Sequence, residues 1–167
     1  TSYIPTSGTT VTRNQDVCNN GGSLASINST EGTLYFEGSA INNDSTNKRI
    51  SLSDSSSANR VILTFANNTI NYRFVSGGLL SANIVYNSDT TINKKYAITW
   101  KLNEFKFWVN GIEAGIDTSG AVFPLNTLDE FNFADYTATT SPFFGKTKAV
   151  AVWKEALSDQ ELADLTY

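Results

Sequence analysis

Lys95-Tyr96-Ala97-Ile98-Thr99-Trp100-Lys101-Leu102, then Asn103-Glu104, then Phe105-Lys106-Phe107-Trp108-Val109-Asn110-Gly111 is the stretch whose reading decides the fold. Two runs rich in aromatic and β-branched residues flank a polar pair, which is the pattern of a β-hairpin. With the turn at Asn103-Glu104, Leu102 faces Phe105, Trp100 faces Phe107 and Ile98 faces Val109. Side chains alternate along a strand, so these six share one apolar face. Thr99 with Trp108, Lys101 with Lys106 and Ala97 with Asn110 make the other face. That face is polar and carries one large aromatic, Trp108. A half-buried antiparallel sheet divides its residues this way.

The same logic recurs upstream. Around Asn67-Asn68, two residues that tolerate left-handed backbone, Phe65 pairs with Ile70, Leu63 with Tyr72 and Val61 with Phe74. The opposite face holds Thr64 with Asn71 and Ile62 with Arg73. Ser23 to Ile27, Thr33 to Ala40, Arg49 to Asp54, Leu79 to Tyr86 and Phe143 to Trp153 read as further strands. Ala114 to Gly120 reads as a Gly-rich turn, and the chain from there to Pro142 as loop-rich. Trp100 and Trp153 are assigned to the core. One helix is expected at the end, where Ser158-Asp159-Gln160-Glu161 spells a capping box and Leu157 and Leu162 occupy staple positions. The outcome is an all-β fold: a two-sheet antiparallel sandwich with one short C-terminal helix.

The chain has 167 residues, enough for one domain with a sizeable core. Residues 1–22 are polar and glycine-punctuated and read as an N-terminal linker or extended segment; residues 23–167 read as the domain. The start, Thr1-Ser2-Tyr3-Ile4-Pro5-Thr6, reads as that of a piece excised from a longer chain. Net charge is −4 and no stretch concentrates Lys and Arg, so nucleic acid is not an expected partner. No apolar run approaches the roughly 20 residues that span a bilayer, so membrane insertion is not expected. Cys18 is the single cysteine, and with no His in the chain it lacks the usual base of a thiol nucleophile.

These residues resemble a known family. Tyr96-Ala97-Ile98-Thr99-Trp100 with Phe107-Trp108-Val109-Asn110-Gly111 looks like the paired-strand signature of concanavalin A-like lectin/glucanase domains, in their laminin-G-like and pentraxin-like branch. Phe144-Gly145, Val150-Ala151-Val152-Trp153 and Ala156 to Leu162 are similar to that branch's closing strand and helix. The resemblance implies a jelly roll, and the fold alone does not name a ligand. It also implies calcium as a candidate ion, for which Asp117, Asp129 and Asp135 are the loop carboxylates available. The opening Thr1 to Gly8, followed by Val11-Thr12-Arg13, looks like a segment recurrent in bacteriophage structural proteins. That implies a virion-borne or secreted multidomain parent.

Glucanases of this fold carry Glu-x-Asp-x-x-Glu or a near variant on one strand, supplying the carboxylate pair that glycoside hydrolysis needs. No such run is present, and lyases of this fold use a His and Tyr pair that a chain without His does not have. Catalysis is therefore not expected. Binding is the better use of the residues, because a sugar combines an apolar ring face with a polar rim. The candidate carbohydrate-binding residues are Trp108 and Lys101 from the central hairpin, Asn71 and Arg73 from the other, Tyr35 and Glu37 from the first strong strand, and Tyr136 as a rim residue. The expected function is a non-catalytic, lectin-like module of an extracellular or phage-tail protein. Its expected partners are a polysaccharide or cell-surface glycan and neighbouring domains of the parent chain. A structural or protein-adhesion module is the alternative, with a glycan lyase or hydrolase behind it.

Overall fold

The structure, a computed structural model, describes Gly8, Cys18, residues 21–137 and residues 139–167. Most of the expected N-terminal segment 1–22 lies outside the described residues. The elements are β1 (Gly32–Ala40), β2 (Lys48–Ser53), β3 (Arg60–Ala66), β4 (Thr69–Ser76), β5 (Leu79–Asn87), β6 (Lys94–Lys101), β7 (Glu104–Val109), β8 (Ile112–Asp117), β9 (Glu130–Asn132), β10 (Gly145–Trp153) and α1 (Asp159–Thr166). They form two five-stranded antiparallel sheets, β10-β1-β6-β7-β8 and β5-β4-β3-β2-β9, called here sheet 1 and sheet 2. This is the expected jelly-roll sandwich.

Between the sheets lies an aromatic core. Trp100, Tyr72, Tyr96, Phe36, Phe65, Phe74, Phe105, Phe107, Phe123 and Phe143 are all fully buried. Many of the rings meet edge to face, as Phe36 and Phe65 do at 5.7 Å between centroids, the arrangement that aromatic quadrupoles prefer. Gly32 stands directly opposite Trp100, and a Cβ at Gly32 would fall inside that indole. The glycine is what lets the largest side chain lie flat over the strand pair.

The hairpin at Asn67-Asn68 has the expected register, with Phe65 opposite Ile70 and Leu63 opposite Tyr72. Both turn residues take left-handed φ, 47° and 60°. The central hairpin differs. Lys101 pairs with Glu104, Trp100 with Phe105, Ile98 with Phe107 and Ala97 with Trp108, so the turn is Leu102-Asn103. Two forces favour this register. The expected turn would have needed left-handed backbone at Glu104, whereas here Asn103 takes it at φ 57°. The expected pairing also set Lys101 against Lys106, and this one sets Lys101 against Glu104. Because every partner moves by two residues, the division into faces is unchanged except at Leu102, expected on the apolar face and found exposed in the turn.

Three other expectations change. Ser23 to Ile27 is a turn, held by Ser26 N–H and Ile27 N–H to the Ser23 carbonyl at 3.0 Å each. Ala114 to Gly120 is mostly strand, since β8 continues from β7 through the left-handed pair Asn110 and Gly111, φ 49° and 80°. Trp153 is partly exposed on edge strand β10, opposite Thr33, rather than in the core.

The terminal helix forms as expected. Ser158 Oγ accepts from Glu161 N–H and Glu161 Oε2 accepts from Ser158 N–H at 2.8 Å. Leu162 then packs on Ala97 and Trp108, with Leu157, Ala163 and Leu165 around them. The helix therefore lies over the outer face of sheet 1.

Candidate functional site

The seven candidate residues do not converge. Strand parity puts Tyr35, Glu37, Lys101 and Trp108 on the outer face of sheet 1, and Asn71 and Arg73 on the outer face of sheet 2. The core separates the two faces. Tyr136 follows β9, and its ring centroid lies 5.3 Å from Arg60 Cζ, beside sheet 2.

On sheet 1, Trp108, Tyr35 and Glu37 are already engaged with other residues. Trp108 is 9 % exposed, so its expected role as an open stacking platform is corrected: helix α1 covers it. The ring does point away from the main core, as its strand parity requires, and the helix that docks on it comes from a segment distant in sequence. Tyr35 is buried and donates to Glu37 Oε2 at 3.4 Å. Burial and the adjacent Glu37 raise its phenol above the ordinary 10.0. Glu37 pairs with Lys148 at 3.1 Å and accepts from Asn93 at 3.2 Å. The Lys148 hydrogen bond holds its carboxyl below the ordinary 4.5. Lys101 is exposed at the tip of β6, away from the rest.

Sheet 2 is different. Its outer face is read off the alternation of β2, β3 and β4. Ile50 and Leu52 point inward between Arg49, Ser51 and Ser53; Val61 and Leu63 alternate with Arg60, Ile62 and Thr64; Tyr72 and Phe74 alternate with Asn71 and Arg73. In the ladder Arg49 stands opposite Thr64, which stands opposite Asn71. Ser51 stands opposite Ile62, and Ile62 opposite Arg73. Three of the chain's four arginines, Arg13, Arg49, Arg60 and Arg73, thus meet on one face of an acidic protein.

Asp135 organises two of them. It is 1 % exposed. Arg49 Nη1 donates to Oδ2, and Arg60 Nη1 donates to both oxygens at 2.7 and 2.8 Å. Ser51 Oγ donates to the Asp135 carbonyl and fixes the backbone. Each guanidinium is gripped through Nη1 alone. Among the described residues the Nε of Arg49 and of Arg60 is buried without a hydrogen-bond partner, as are Thr64 Oγ1, Asn71 Oδ1 and Asn132 Nδ2 on the same face. Arg73 has no carboxylate partner among the described residues. Arg73, half-buried beside them, keeps its planar fork of donors free of such a partner, a geometry suited to a carboxylate. Tyr136 adds an aromatic surface beside Arg60.

Asp135 is thus a clamp between arginines, not a cation ligand. Asp117, the last residue of β8, accepts from Ser119 N–H at 3.0 Å, and Asp129 is exposed ahead of β9. The three implied calcium carboxylates do not gather, and no group of three Asp, Glu, Cys or His suited to a metal occurs among the described residues. Arg49, Arg60, Thr64 and Asn132 were not among the binding residues expected from the sequence, although Thr64 was placed on this polar face. The parity of β2 and β3 was a usable signal for Arg49 and Arg60; the pairing that brings them to Asp135 was not written in it.

Residues 23–163 match the model of the Concanavalin A-like lectin/glucanases superfamily. The chain belongs to that family. No curated protein matches the chain. Among solved structures, the CBM40 module of a Ruminococcus gnavus IT-sialidase bound to alpha2,6 sialyllactose aligns over 92 % of this chain and 95 % of its own, with 14 % identity and a TM-score of 0.69. The NanB sialidase from Streptococcus pneumoniae aligns over 86 % of this chain and 25 % of its own, with 17 % identity and a TM-score of 0.65. The botulinum neurotoxin serotype G binding domain aligns over 84 % of this chain and 37 % of its own, with 13 % identity and a TM-score of 0.62. At these identities the superfamily member shares the fold with them.

Proposed function

We propose that this superfamily member is a non-catalytic glycan-binding module that holds a carboxylate-bearing sugar on the outer face of sheet 2. The observation that carries the reading is the gathering of Arg49, Arg60 and Arg73 on the outer face of sheet 2, with Tyr136 beside Arg60. The Arg73 fork, on a face made positive by Arg49 and Arg60, binds the sugar carboxylate, and the ring of Tyr136 lies against a sugar face. The alignment with a module bound to sialyllactose, itself an acidic glycan, supports that ligand class. A glycan partner and likeness to a toxin binding domain support an extracellular setting. The opening motif, most of it outside the described residues, supports a virion-borne parent with neighbouring domains.

The test is a glycan array carrying acidic and neutral glycans, followed by titration with sialyllactose. The expected result is binding that weakens as salt rises and falls at least tenfold in Arg73→Ala, with an unchanged melting temperature. Absence of binding to every glycan overturns the reading. A structural or adhesion module is the second reading. It is favoured by the adjoining strands β5 and β8, where Leu79, Leu80, Ile112 and Ile116 are exposed. It requires stable association with a neighbouring domain and no glycan affinity.

A further inference from the structure

The connection between β1 and β2 and the residues leading into β10 enclose an open cavity of about 460 Å³ at one end of the sandwich. We infer that this cavity is a second carbohydrate subsite, built for an uncharged pyranose. It differs from the arginine face in lining and charge, so the inference stands independently of the function proposed above.

Its volume falls within the roughly 300–1,000 Å³ of small-molecule sites. Its two walls differ. One is Ile41, Pro142 and Phe144, with Phe144 40 % exposed. The other is Asn42, Asn47 and Lys48. A pyranose has the same division, with C–H groups on its face and hydroxyls on its rim. Phe144 is the aromatic available for the face. The Asn47 side chain makes no hydrogen bond among the described residues, which leaves its amide for the rim.

Charge selects the class. Lys48 is buried and its Nζ lies 2.7 Å from Asp44 Oδ1. The cation and anion at the cavity cancel, so a carboxylate sugar gains no attraction here.

The walls are already set. Asp44 accepts from Asn42 Nδ2 at 2.8 Å and from Thr46 N–H at 2.9 Å, while its own carbonyl accepts from Asn67 N–H at 2.7 Å. Ile41 N–H donates to the Phe144 carbonyl at 2.9 Å, tying one wall to the other strand, and Arg49 N–H holds the Ser141 carbonyl at 3.1 Å. A ligand would meet an ordered cavity, so binding costs little loop entropy.

The test uses ligand-observed NMR titrations with lactose and the methyl glycosides of glucose, galactose, mannose and N-acetylglucosamine. The proteins are the parent chain and its Phe144→Ala, Asn47→Ala and Arg73→Ala variants. The expected result is millimolar binding of at least one of these sugars that is insensitive to salt. Phe144→Ala should weaken it at least tenfold, Asn47→Ala should weaken it severalfold, and Arg73→Ala should leave it unchanged. Melting curves check each fold, and Asn47, exposed and without side-chain hydrogen bonds among the described residues, gives a variant that keeps the fold if Phe144→Ala does not. The inference is overturned if no sugar in the panel binds, if Phe144→Ala and Asn47→Ala both bind as the parent does, or if Arg73→Ala abolishes binding. Failure here with sialyllactose binding intact leaves the arginine face standing alone; the opposite pattern leaves the cavity alone.

Discussion

Asp135 shows what one buried carboxylate does in this fold. Its side chain is 2 % exposed, against 15 % for Arg49 and 13 % for Arg60. Removing it strands two nearly desolvated guanidinium groups, and breaking a buried pair by deleting one partner costs about 3–5 kcal/mol. Asp135→Ala should therefore lower unfolding free energy by at least about 3 kcal/mol in urea denaturation. Asp159, 61 % exposed and 2.6 Å from Lys106, is the control: its removal should cost under about 1 kcal/mol. Trp108 makes the complementary case. As a residue beneath a helix, its truncation should cost roughly 3 kcal/mol of stability and leave glycan affinity at the arginine face untouched. Trp100→Ala should cost about as much or more, because a large core ring leaves a cavity that the sandwich cannot close. If Trp108→Ala leaves stability within measurement error, the helix does not pack as described.

At the scale of elements, α1 is held by charge at its first turn and by apolar contact below it. The Ser158 hydrogen bonds lower the Glu161 carboxyl from 4.5. A lowered carboxyl contributes stability that is present above 4.5 and disappears as pH falls through the folded value. Burial pulls the Lys106 ammonium down, yet the Asp159 hydrogen bond and the charges of Glu104 and Asp159 more than offset it, leaving the group above 10.5. A raised lysine contributes stability that is complete below 10.5 and lost as pH rises through the folded value. Amide exchange of residues 159–166, corrected for intrinsic rate, should thus be slowest between about pH 4.5 and 10.5 and quicken on both sides. Ser158→Ala should flatten the acid limb and cost about 1 kcal/mol. The capping box and staple made this helix legible in the sequence. So did the Asn67-Asn68 hairpin, because both turn residues accept left-handed backbone. Strand β8 was missed although Asn110-Gly111 is a strong hairpin dipeptide; the glycines that follow masked the continuing strand.

At the scale of the whole molecule, the two sheets are each closed by strand pairings between partners distant in sequence: β1 bonds to β6 and β10, and β2 to β9. Such pairings must close long loops before they gain contacts, so refolding should take milliseconds to seconds. Stopped-flow tryptophan fluorescence measures it, and a microsecond phase carrying the full amplitude would contradict the topology described. The pairing also fixes where the sites lie. Tyr35 and Arg73 both read as outward residues, and only the layering of two sheets sends them to opposite sides of the core.

Alternation and turn chemistry are local, so the chain alone determined the all-β class, the inward and outward sets of β3, β4, β6 and β7, and the capped helix. A shift of two residues in the central hairpin changed partners and left those sets intact apart from Leu102, which went to the turn, because side-chain direction has a period of two. What covers each face is a long-range matter. The sequence marks Trp108 as outward; folding decided that α1 buries it. The sequence scatters Arg49, Arg60 and Asp135 over three elements and connections; the β2–β3 ladder and the connection after β9 brought them within hydrogen-bonding distance. No local pattern records which distant segments meet, since that choice is made by the burial of the aromatic core between the two sheets.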